Sequence, residues 1–447
     1  MTIADEAAAP SVTGTSTQKR HGLRNGIVGG VGTFLEWFDY GLFGTASALY
    51  LGPLFFTGDP FVATLAAFAT FAVGFAARPL GGAVLGYLGD KWGRKPILVL
   101  TIVLMGTATF LMGLLPTYAQ IGVAAPILLV VLRIVQGFGA GAEFSGSLVF
   151  VAESSREERK GLHLSFTPAA SAFGPFVGGA LFAGLAALLT GDDMLAWGWR
   201  IPFLISALFA VVGLIMRTRL DDSDDYVKYR EELAAKKADK KAQPRVPIAA
   251  VFRADPKAFW ASLLIPSAVG YSNYLVAVFG VSYMTSTLKL PPQLSLTTLL
   301  CMTGIGTITC ILAGRLVDVF GAIRMIVVGA LCALSFSVPF FLLVGTKVPV
   351  LVVLGGVLGM VFVWSVITPA VSALQPKLFN VEYRYTGLGF TREIATVITG
   401  GTAPFVATFL VRLGGGEPWL VVVMSSIMVL LTMGGAALGL HRAALTD

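Results

Sequence analysis

The chain has 447 residues, of which 55% are hydrophobic and 13% carry a charge, whereas roughly a quarter of the residues in soluble proteins are charged. Its mean hydropathy is +0.80 and its formal net charge is +7. These values exclude a disordered, collagen-like or disulfide-stapled protein and predict an all-α membrane protein with many spans. The positive charge then bears on orientation in the membrane, and no nucleic-acid partner is needed to explain it.

Apolar runs recur along the chain, and each is close to the length of about 20 residues that crosses a bilayer as a helix. They predict twelve transmembrane helices at residues 27–51, 62–89, 97–116, 122–151, 163–190, 200–217, 258–287, 294–314, 325–346, 349–376, 385–411 and 418–440. The predicted organisation is a tail (1–22), a six-helix bundle (23–217), a charged linker (218–257), a second six-helix bundle (258–440) and a tail (441–447).

The distribution of Lys and Arg predicts the orientation of these helices. Alternate connecting segments, including both tails and the linker, hold 25 of the 32 basic residues, and the other connections hold four. Because basic residues stay on the cytoplasmic side, both termini are predicted to lie in the cytoplasm. The polar first 22 residues contain no apolar core, so we expect no cleavable signal peptide and a multi-pass protein of the cytoplasmic (inner) membrane.

An internal repeat relates the two predicted halves. A Gly-Asp-Gly pattern between the second and third helices recurs between the eighth and ninth, about half a chain later, in the pairs Gly86 and Gly314, Asp90 and Asp318, and Gly93 and Gly321. A half-length repeat in a twelve-helix protein is typical of a transporter whose binding site lies between the halves.

Six charged or glycine-containing motifs stand out along the chain: residues 86–95 between helices two and three, 36–40 in helix one, 78–82 in helix two, 133–143 in helix four, 197–203 at helix six and 383–387 at helix eleven. In their order along residues 24–440, they resemble the motifs of the metabolite:proton symporter family within the major facilitator superfamily. Two departures are Ala142, where the family usually has Gly, and a second-half loop that lacks the usual basic run at Val319, Ala322 and Ile323.

The resemblance implies two pseudo-symmetric bundles and proton-coupled uptake of a small organic acid by alternating access. It implies a transporter rather than an enzyme, with the proton gradient as energy source, no cofactor or metal, and a monomer that works in the lipid bilayer. A proton antiporter stays open as an alternative, because residues 174–179 read Gly-Pro-x-x-Gly-Gly, as in drug exporters, although this run is also a packing kink. A transport-dead sensor is disfavoured because the linker is too short for an ordinary signalling domain.

The gating residues that the resemblance implies are Asp90, Arg94 and Glu153. Asp90 would face the start of helix eleven, and Arg94 would pair with Glu153 at the end of helix four. Breaking these pairs would open the cytoplasmic side. The alternative is an ordinary basic cytoplasmic loop.

Three charged residues are candidates for proton coupling. Glu36 and Asp39 lie about 15–20 Å deep in helix one at 1.5 Å per residue, and Arg133 lies near the middle of helix four. Removal from water favours a neutral carboxyl group and a nearby cation favours the charged form, so an acid with a switchable partner can carry a proton. Asp39 is our first candidate and Glu36 the second; a permanent structural ion pair is the alternative.

Eight polar residues inside predicted spans are candidates for substrate binding. They are Arg78, Arg133, Gln136, Tyr271, Asn273, Tyr274, Arg392 and Glu393. A guanidinium group in a water-filled cavity binds a carboxylate through two hydrogen bonds, so Arg392 is expected to contact an anionic substrate or, alternatively, to pair with Glu393. Polar groups of this kind also hold neighbouring helices together, and Glu143 is expected to be structural.

Overall fold

The computed structural model describes residues 17–219 and 252–443, apart from 93, 142–143, 145–147, 149–150, 153–154, 156–158, 254 and 380. Of residues 17–29, 31, 86–87, 89–92, 94–96, 98, 216–219, 381–386 and 441–443 it describes the backbone. The described residues contain no strand and form twelve long helical segments with short connections.

The first six helices form one half of the molecule. Their bounds are α1 (Thr17–Ala46, extended by a π-helical turn, Ser47–Leu51, and by Gly52–Phe55), α2 (Pro60–Ala76 and Arg78–Trp92), α3 (Arg94–Leu114), α4 (Ala124–Ala140), α5 (Lys160–Leu188) and α6 (Arg200–Arg219, preceded by Gly191–Asp193 and the π turn Met194–Gly198).

The second six helices form the other half. Their bounds are α7 (Pro256–Leu264, Ser267–Tyr274, Leu275–Phe279, Gly280–Ser282 and Tyr283–Thr287), α8 (Pro292–Phe320), α9 (Ala322–Gly345), α10 (Pro349–Leu358, Gly359–Ser365, Thr368–Leu374 and Gln375–Leu378), α11 (Val381–Ala395, Thr396–Gly401 and Ala403–Leu413) and α12 (Trp419–Ala443).

Most of these helices satisfy the length and apolarity needed for a membrane span. Within the described residues eight do so on their own, and the bent pair Gly191–Gly198 with Arg200–Ile215 makes a ninth. Val99–Leu114 and Ala124–Ala140 are apolar but shorter, and α1 begins with a polar turn and carries two acids. The helix of α1 starts ten residues before its predicted apolar run, because helix propensity does not stop at the edge of the hydrocarbon. The linker 218–257 lies largely outside the described residues.

Within the described residues the two halves meet mainly along four pairs of helices. Helix α5 packs along α8 and α10, α2 packs against α11, and α1 packs against α7. Around these inner helices, α3 and α6 pack together in the first half, and α9 and α12 in the second. Several polar side chains in the middle of the inner helices, among them Arg78, Glu393 and Tyr274, therefore lie at the boundary between the halves.

Glycines lock α2 to α4 inside the first half. A Cβ atom on Gly137 would overlap the backbone carbonyl of Gly74, and one on Gly81 would overlap the backbone of Phe138. A Cβ atom on Gly141 would likewise collide with the carbonyl of Arg78. Backbone atoms cannot rotate away, so the two helices can approach this closely only without side chains at these positions.

We expect Gly137→Ala to lower the thermal stability of the purified protein strongly, because α2 and α4 must separate to admit the methyl group. Gly184→Ala on α5 is the matched control, since nothing lies within 4 Å of the added methyl group there. The measurement is the apparent melting temperature in detergent. Equal, small shifts for both variants would show that the α2–α4 contact is looser than described.

Candidate functional site

An aromatic side chain of the second half inserts into the first half near the middle of the molecule. The ring of Tyr274 on α7 stacks on Trp37 of α1 with centroids 5.7 Å apart. It meets Phe71 and Phe75 of α2 edge-on at 5.3 and 5.2 Å. Tyr274 is 4% exposed. These rings close the space between α1, α2 and α7.

A small cavity borders this aromatic cluster. It is lined by α1, α5 and α7, has room for about one water molecule, and its polar lining includes Tyr40, Thr45, Asn273 and Tyr274. The indole N–H of Trp37 and the hydroxyl of Tyr274 have no hydrogen-bond partner among the described residues. Buried polar groups are nearly always paired, so unpaired donors beside a cavity favour an acceptor-rich ligand.

A buried ion-pair bridge connects the halves. Arg78 of α2 donates from Nε to Glu393 Oε2 on α11 at 2.6 Å and from Nη2 to Glu393 Oε1 at 3.1 Å. Its Nη1 donates to Glu36 Oε1 on α1. All three residues are at most 3% exposed. We call this set, Glu36, Arg78 and Glu393, the inter-half bridge.

Asp39 belongs to a separate network inside the first half. Arg133 Nη1 donates to Gln136 Oε1, Gln136 Nε2 donates to Thr109 Oγ1 at 2.6 Å, and Thr109 Oγ1 lies 2.8 Å from Asp39 Oδ2. The sequence suggested Arg133 as a direct partner of Asp39 or Glu36. The structure instead places Gln136 and Thr109 between Arg133 and Asp39. Glu36 forms its ion pair with Arg78.

Arg133 is held by rings and backbone rather than by a carboxylate. Its Nη2 donates to the Phe71 carbonyl at 3.1 Å, and its guanidinium lies 4.1 Å from the ring centroid of Phe43 and 4.9 Å from that of Tyr40. A Cβ atom on Gly74 would lie 2.7 Å from the guanidinium. Glycine at position 74 therefore makes room for this cation, which the aromatic faces stabilise.

Arg392 does not pair with Glu393, the alternative that the sequence left open. Its Nη1 donates to Gln375 Oε1 at 2.7 Å, and its guanidinium lies 3.7 Å from the ring centroid of Phe144 in the first half. The amide nitrogen of Gln375 has no partner among the described residues. Arg392 and Gln375 thus form a second group of donors at the boundary between the halves.

Two of the predicted substrate contacts separate in the structure. Asn273 lines the cavity, whereas Tyr271 lies beside Ser425 of α12. Tyr271 therefore faces its own half, and the prediction that it binds substrate receives no geometric support.

The predicted latch lies outside the described residues, because the side chains of Asp90 and Arg94 and all of Glu153 are not described, and neither is Glu143. Its repeat counterpart is described. Asp318 at the end of α8 accepts hydrogen bonds from the backbone N–H groups of Gly161 at 2.6 Å and Leu162 at 3.0 Å, at the start of α5. A carboxylate at the start of a helix is favourable, so Asp318 ties the two halves together.

Asp318→Ala is expected to weaken closure at this face, because it removes two charge-assisted hydrogen bonds across the boundary. With about 1.5–3 kcal/mol for such a bond when buried and less when half-exposed, we expect a shift of about tenfold in the closed-to-open ratio. The measurement is the rate at which a cysteine introduced at Ser165, which lies against Gly314, reacts with a thiol reagent. The rate would be compared between proteins with and without Asp318→Ala, and an equal rate in both would contradict the prediction.

The glycine-proline run of α5 is a packing surface in this structure. A Cβ atom on Gly174 would lie 2.5 Å from the backbone nitrogen of Phe38 on α1, and one on Gly179 would lie 2.9 Å from Leu299 on α8. Pro175 fits against Gly41 of α1. These contacts explain the small residues without an export function.

Thr109 and Gln375 were not predicted from the sequence as members of the site. Both lie in charge-free apolar runs, and threonine in particular often bonds its own helix, as Thr109 also does to the Met105 carbonyl at 2.9 Å. Gln375 gave a usable signal, since it is an amide in an otherwise apolar span.

Comparison with known proteins decides the family. The model of the Major Facilitator Superfamily matches residues 29–404. The chain belongs to the major facilitator superfamily. The twelve-helix, two-bundle prediction for this transporter is thereby confirmed, as is the prediction that it is not an enzyme.

Curated relatives and solved structures agree with this assignment. The transporter is 32% identical over 387 residues to the shikimate transporter of Escherichia coli (strain K12), covering 86% of this chain and 87% of that protein. It is 34% identical over 389 residues to the glycine betaine/proline/ectoine/pipecolic acid transporter OusA of Dickeya dadantii (strain 3937), covering 86% and 76%. Its fold resembles the proton:xylose symporter XylE, with a TM-score of 0.71, 16% identity and coverage of 94% and 95%.

Proposed function

We propose that this transporter couples proton entry to the uptake of a small organic acid by alternating access. The observation that carries the proposal is the set of donors at the boundary between the halves: Arg392 with Gln375, Trp37 Nε1 and the Tyr274 hydroxyl. Trp37 Nε1, the Tyr274 hydroxyl and Gln375 Nε2 have no acceptor among the described residues. Together with the positive charge of Arg392 beside Gln375, they match a carboxylate, which accepts hydrogen bonds at both oxygens.

The relatives support a carboxylate-containing substrate for this transporter, without indicating which compound it is. Shikimate, proline, glycine betaine, ectoine and pipecolic acid, named for the two relatives, all contain a carboxylate group. Some of them also carry a positive charge, and the aromatic cluster around Tyr274 would suit such a group. A zwitterion is therefore the second substrate class to test beside simple anions.

Buried acids in the membrane interior support coupling to a proton. Glu36, Asp39 and Glu393 are each at most 6% exposed, and a carboxylate in a membrane interior must be paired or protonated. Such groups can take a proton on one side and release it on the other. We further propose that the transporter works as a monomer in the cytoplasmic membrane, with both termini in the cytoplasm.

Uptake into proteoliposomes tests the proposal. Purified protein would be given an inward proton gradient and a panel of labelled simple carboxylates and zwitterions. The expected result is accumulation of one class above its outside concentration, and its collapse with a protonophore. Extrusion against the gradient would favour the antiporter, and silence across the panel would favour the transport-dead sensor.

A further inference from the structure

The inter-half bridge has an uneven distribution of partners between the two halves. Both carboxylate oxygens of Glu393 contact Arg78, which belongs to the other half. Arg78 in turn has a second carboxylate, Glu36, in its own half. When the halves separate here, Arg78 keeps Glu36 as a counter-ion, whereas Glu393 leaves its cation behind.

An ionised Glu393 therefore resists separation of the halves. Removing the partner of a buried charge is strongly unfavourable, because the remaining charge is no longer compensated in a medium of low polarity. A proton on Glu393 removes that charge and leaves a neutral carboxyl group, which can part from Arg78 at a far smaller cost. The neighbouring Arg392 is occupied by Gln375 and by the Phe144 ring.

Counted along their own helices, Arg78 and Glu393 lie somewhat nearer than the cavity residue Asn273 to the face of the molecule that carries both described chain ends. Glu393 is 12 residues into α11, and Arg78 is 14 residues from the end of α2, so both lie about 20 Å from that face at 1.5 Å per residue. Asn273, which lines the cavity, is 17 residues into α7, or about 25 Å from the same face. Rupture of the bridge would open the cavity toward that face.

Asp39, in contrast to Glu393, has its described partners in its own half of the molecule. Its described partners, Thr109 on α3 and Gln136 and Arg133 on α4, all belong to the same half as Asp39 itself. If each half moves as a body, the surroundings of Asp39 travel with it. A group that exchanges protons during transport needs surroundings that change between the two states.

We propose that Glu393 is the proton-binding group that controls opening of the cytoplasmic side. This proposal rests on the proposed proton-coupled uptake and specifies where the proton acts. A proton reaching Glu393 from outside converts the carboxylate to a carboxylic acid, the contact with Arg78 breaks, and the inner side opens. Loss of the proton to the cytoplasm restores the carboxylate, which pairs with Arg78 again and closes that side.

Other charged and titratable groups surround the bridge and belong to the same electrostatic unit. Among the described residues they are Tyr40 and Glu36 on α1, Arg133 on α4, Tyr274 on α7 and Arg392 on α11. Tyrosine and arginine stay in one protonation state between pH 5 and 8. His163 of α5, beside Asp318, belongs to the residue type that titrates in this range, so only a response that Glu393→Gln abolishes reports on the carboxyl group of the bridge.

The test follows the separation of the halves directly and needs no substrate. Ile215 at the end of α6 and Leu440 near the end of α12 are both 45% exposed and belong to different halves. In a full-length variant lacking Cys301, Cys310 and Cys332, cysteines at these two positions would carry spin labels. Distances would be measured by pulsed electron resonance in lipid nanodiscs at pH 8 and pH 5.

We expect the ratio of long to short distances to rise at least about tenfold from pH 8 to pH 5, because a proton on Glu393 removes the charge that holds it to Arg78. Glu393→Gln should give the long-distance population at both pH values. Glu417→Gln, which removes an exposed acid outside the bridge, is the matched control and should respond to pH as the parent does. Asp39→Asn tests the competing candidate, and under this proposal it keeps the response. Glu393→Asp keeps an acid one methylene further from Arg78, and should respond with a shifted midpoint.

Several results would overturn the proposal. They are a parent without a pH response, a Glu393→Gln variant that still responds, an unchanged midpoint in Glu393→Asp, or a response lost in Asp39→Asn alone. The last result would return the proton to Asp39, our first candidate from the sequence. Because no substrate enters this experiment, a failed uptake panel with an intact Glu393 response would count against the proposed symport and not against this gate.

Discussion

Arg78→Ala is expected to be the most destabilising single substitution in the membrane interior. Arg78 is 3% exposed and holds Glu393 and Glu36 from opposite halves. Deleting one partner of a buried ion pair costs about 3–5 kcal/mol, because the remaining charge is left uncompensated. We expect a large drop in the apparent melting temperature of the purified protein and loss of transport.

Two controls separate charge from packing in this prediction. Arg78→Lys keeps the positive charge but not the planar fork, so it should lose less stability. The triple variant Arg78→Met, Glu36→Gln and Glu393→Gln removes every charge of the bridge, and its stability should return close to that of the parent. If the triple variant is as unstable as Arg78→Ala, an uncompensated charge does not account for the loss, and the contacts of the guanidinium group itself do.

Arg392→Ala is expected to raise the apparent KM for a carboxylate substrate by roughly 10–100-fold, the equivalent of about 1.5–3 kcal/mol for a charge-assisted contact. Arg392→Lys should raise it less, because a point charge still attracts the anion without the fork. Arg392 is positioned for this role by Gln375 and Phe144. The measurement is the concentration dependence of initial uptake in proteoliposomes.

The matched control is Arg412→Ala at the other end of α11, where the guanidinium lies 5.3 Å from the Phe61 ring centroid and the residue is exposed. This substitution should leave KM within about twofold of the parent value, since surface charges contribute little. Equal, small effects of Arg392→Ala and Arg392→Lys would indicate a substrate without a carboxylate at this position, or a structural Arg392.

The spans could be predicted from the sequence because the bilayer imposes a length and a polarity on each of them. The apolar run 258–287, for example, coincides with α7 (Pro256–Thr287) within two residues at its start. Where polar residues continue a helix beyond the membrane, as before residue 27 in α1, the apolar run underestimates the helix. The repeat at Asp90 and Asp318 likewise indicated the two halves, because a duplicated pattern needs no knowledge of packing.

The partners within the site could not be predicted in the same way. Arg78 and Glu393 are 315 residues apart, and nothing in helical periodicity says which helices of opposite halves will face each other. Glu36 and Asp39 lie three residues apart, close to one turn, yet Glu36 contacts the bridge and Asp39 contacts Thr109 on α3. Small differences in helix rotation decided between these partners, and rotation is set by packing.

The glycine contacts between α2 and α4 have a mechanical consequence for the transport cycle. At Gly74, Gly81, Gly137 and Gly141 the two helices meet backbone to backbone, so no flexible side chain is available there to absorb a displacement. A displacement of α4 is therefore transmitted in full to α2. Arg78 and Arg133 keep the distance between them while the other half moves. This distance therefore stays constant during the cycle, and the movement of Glu393 can be measured relative to these two residues.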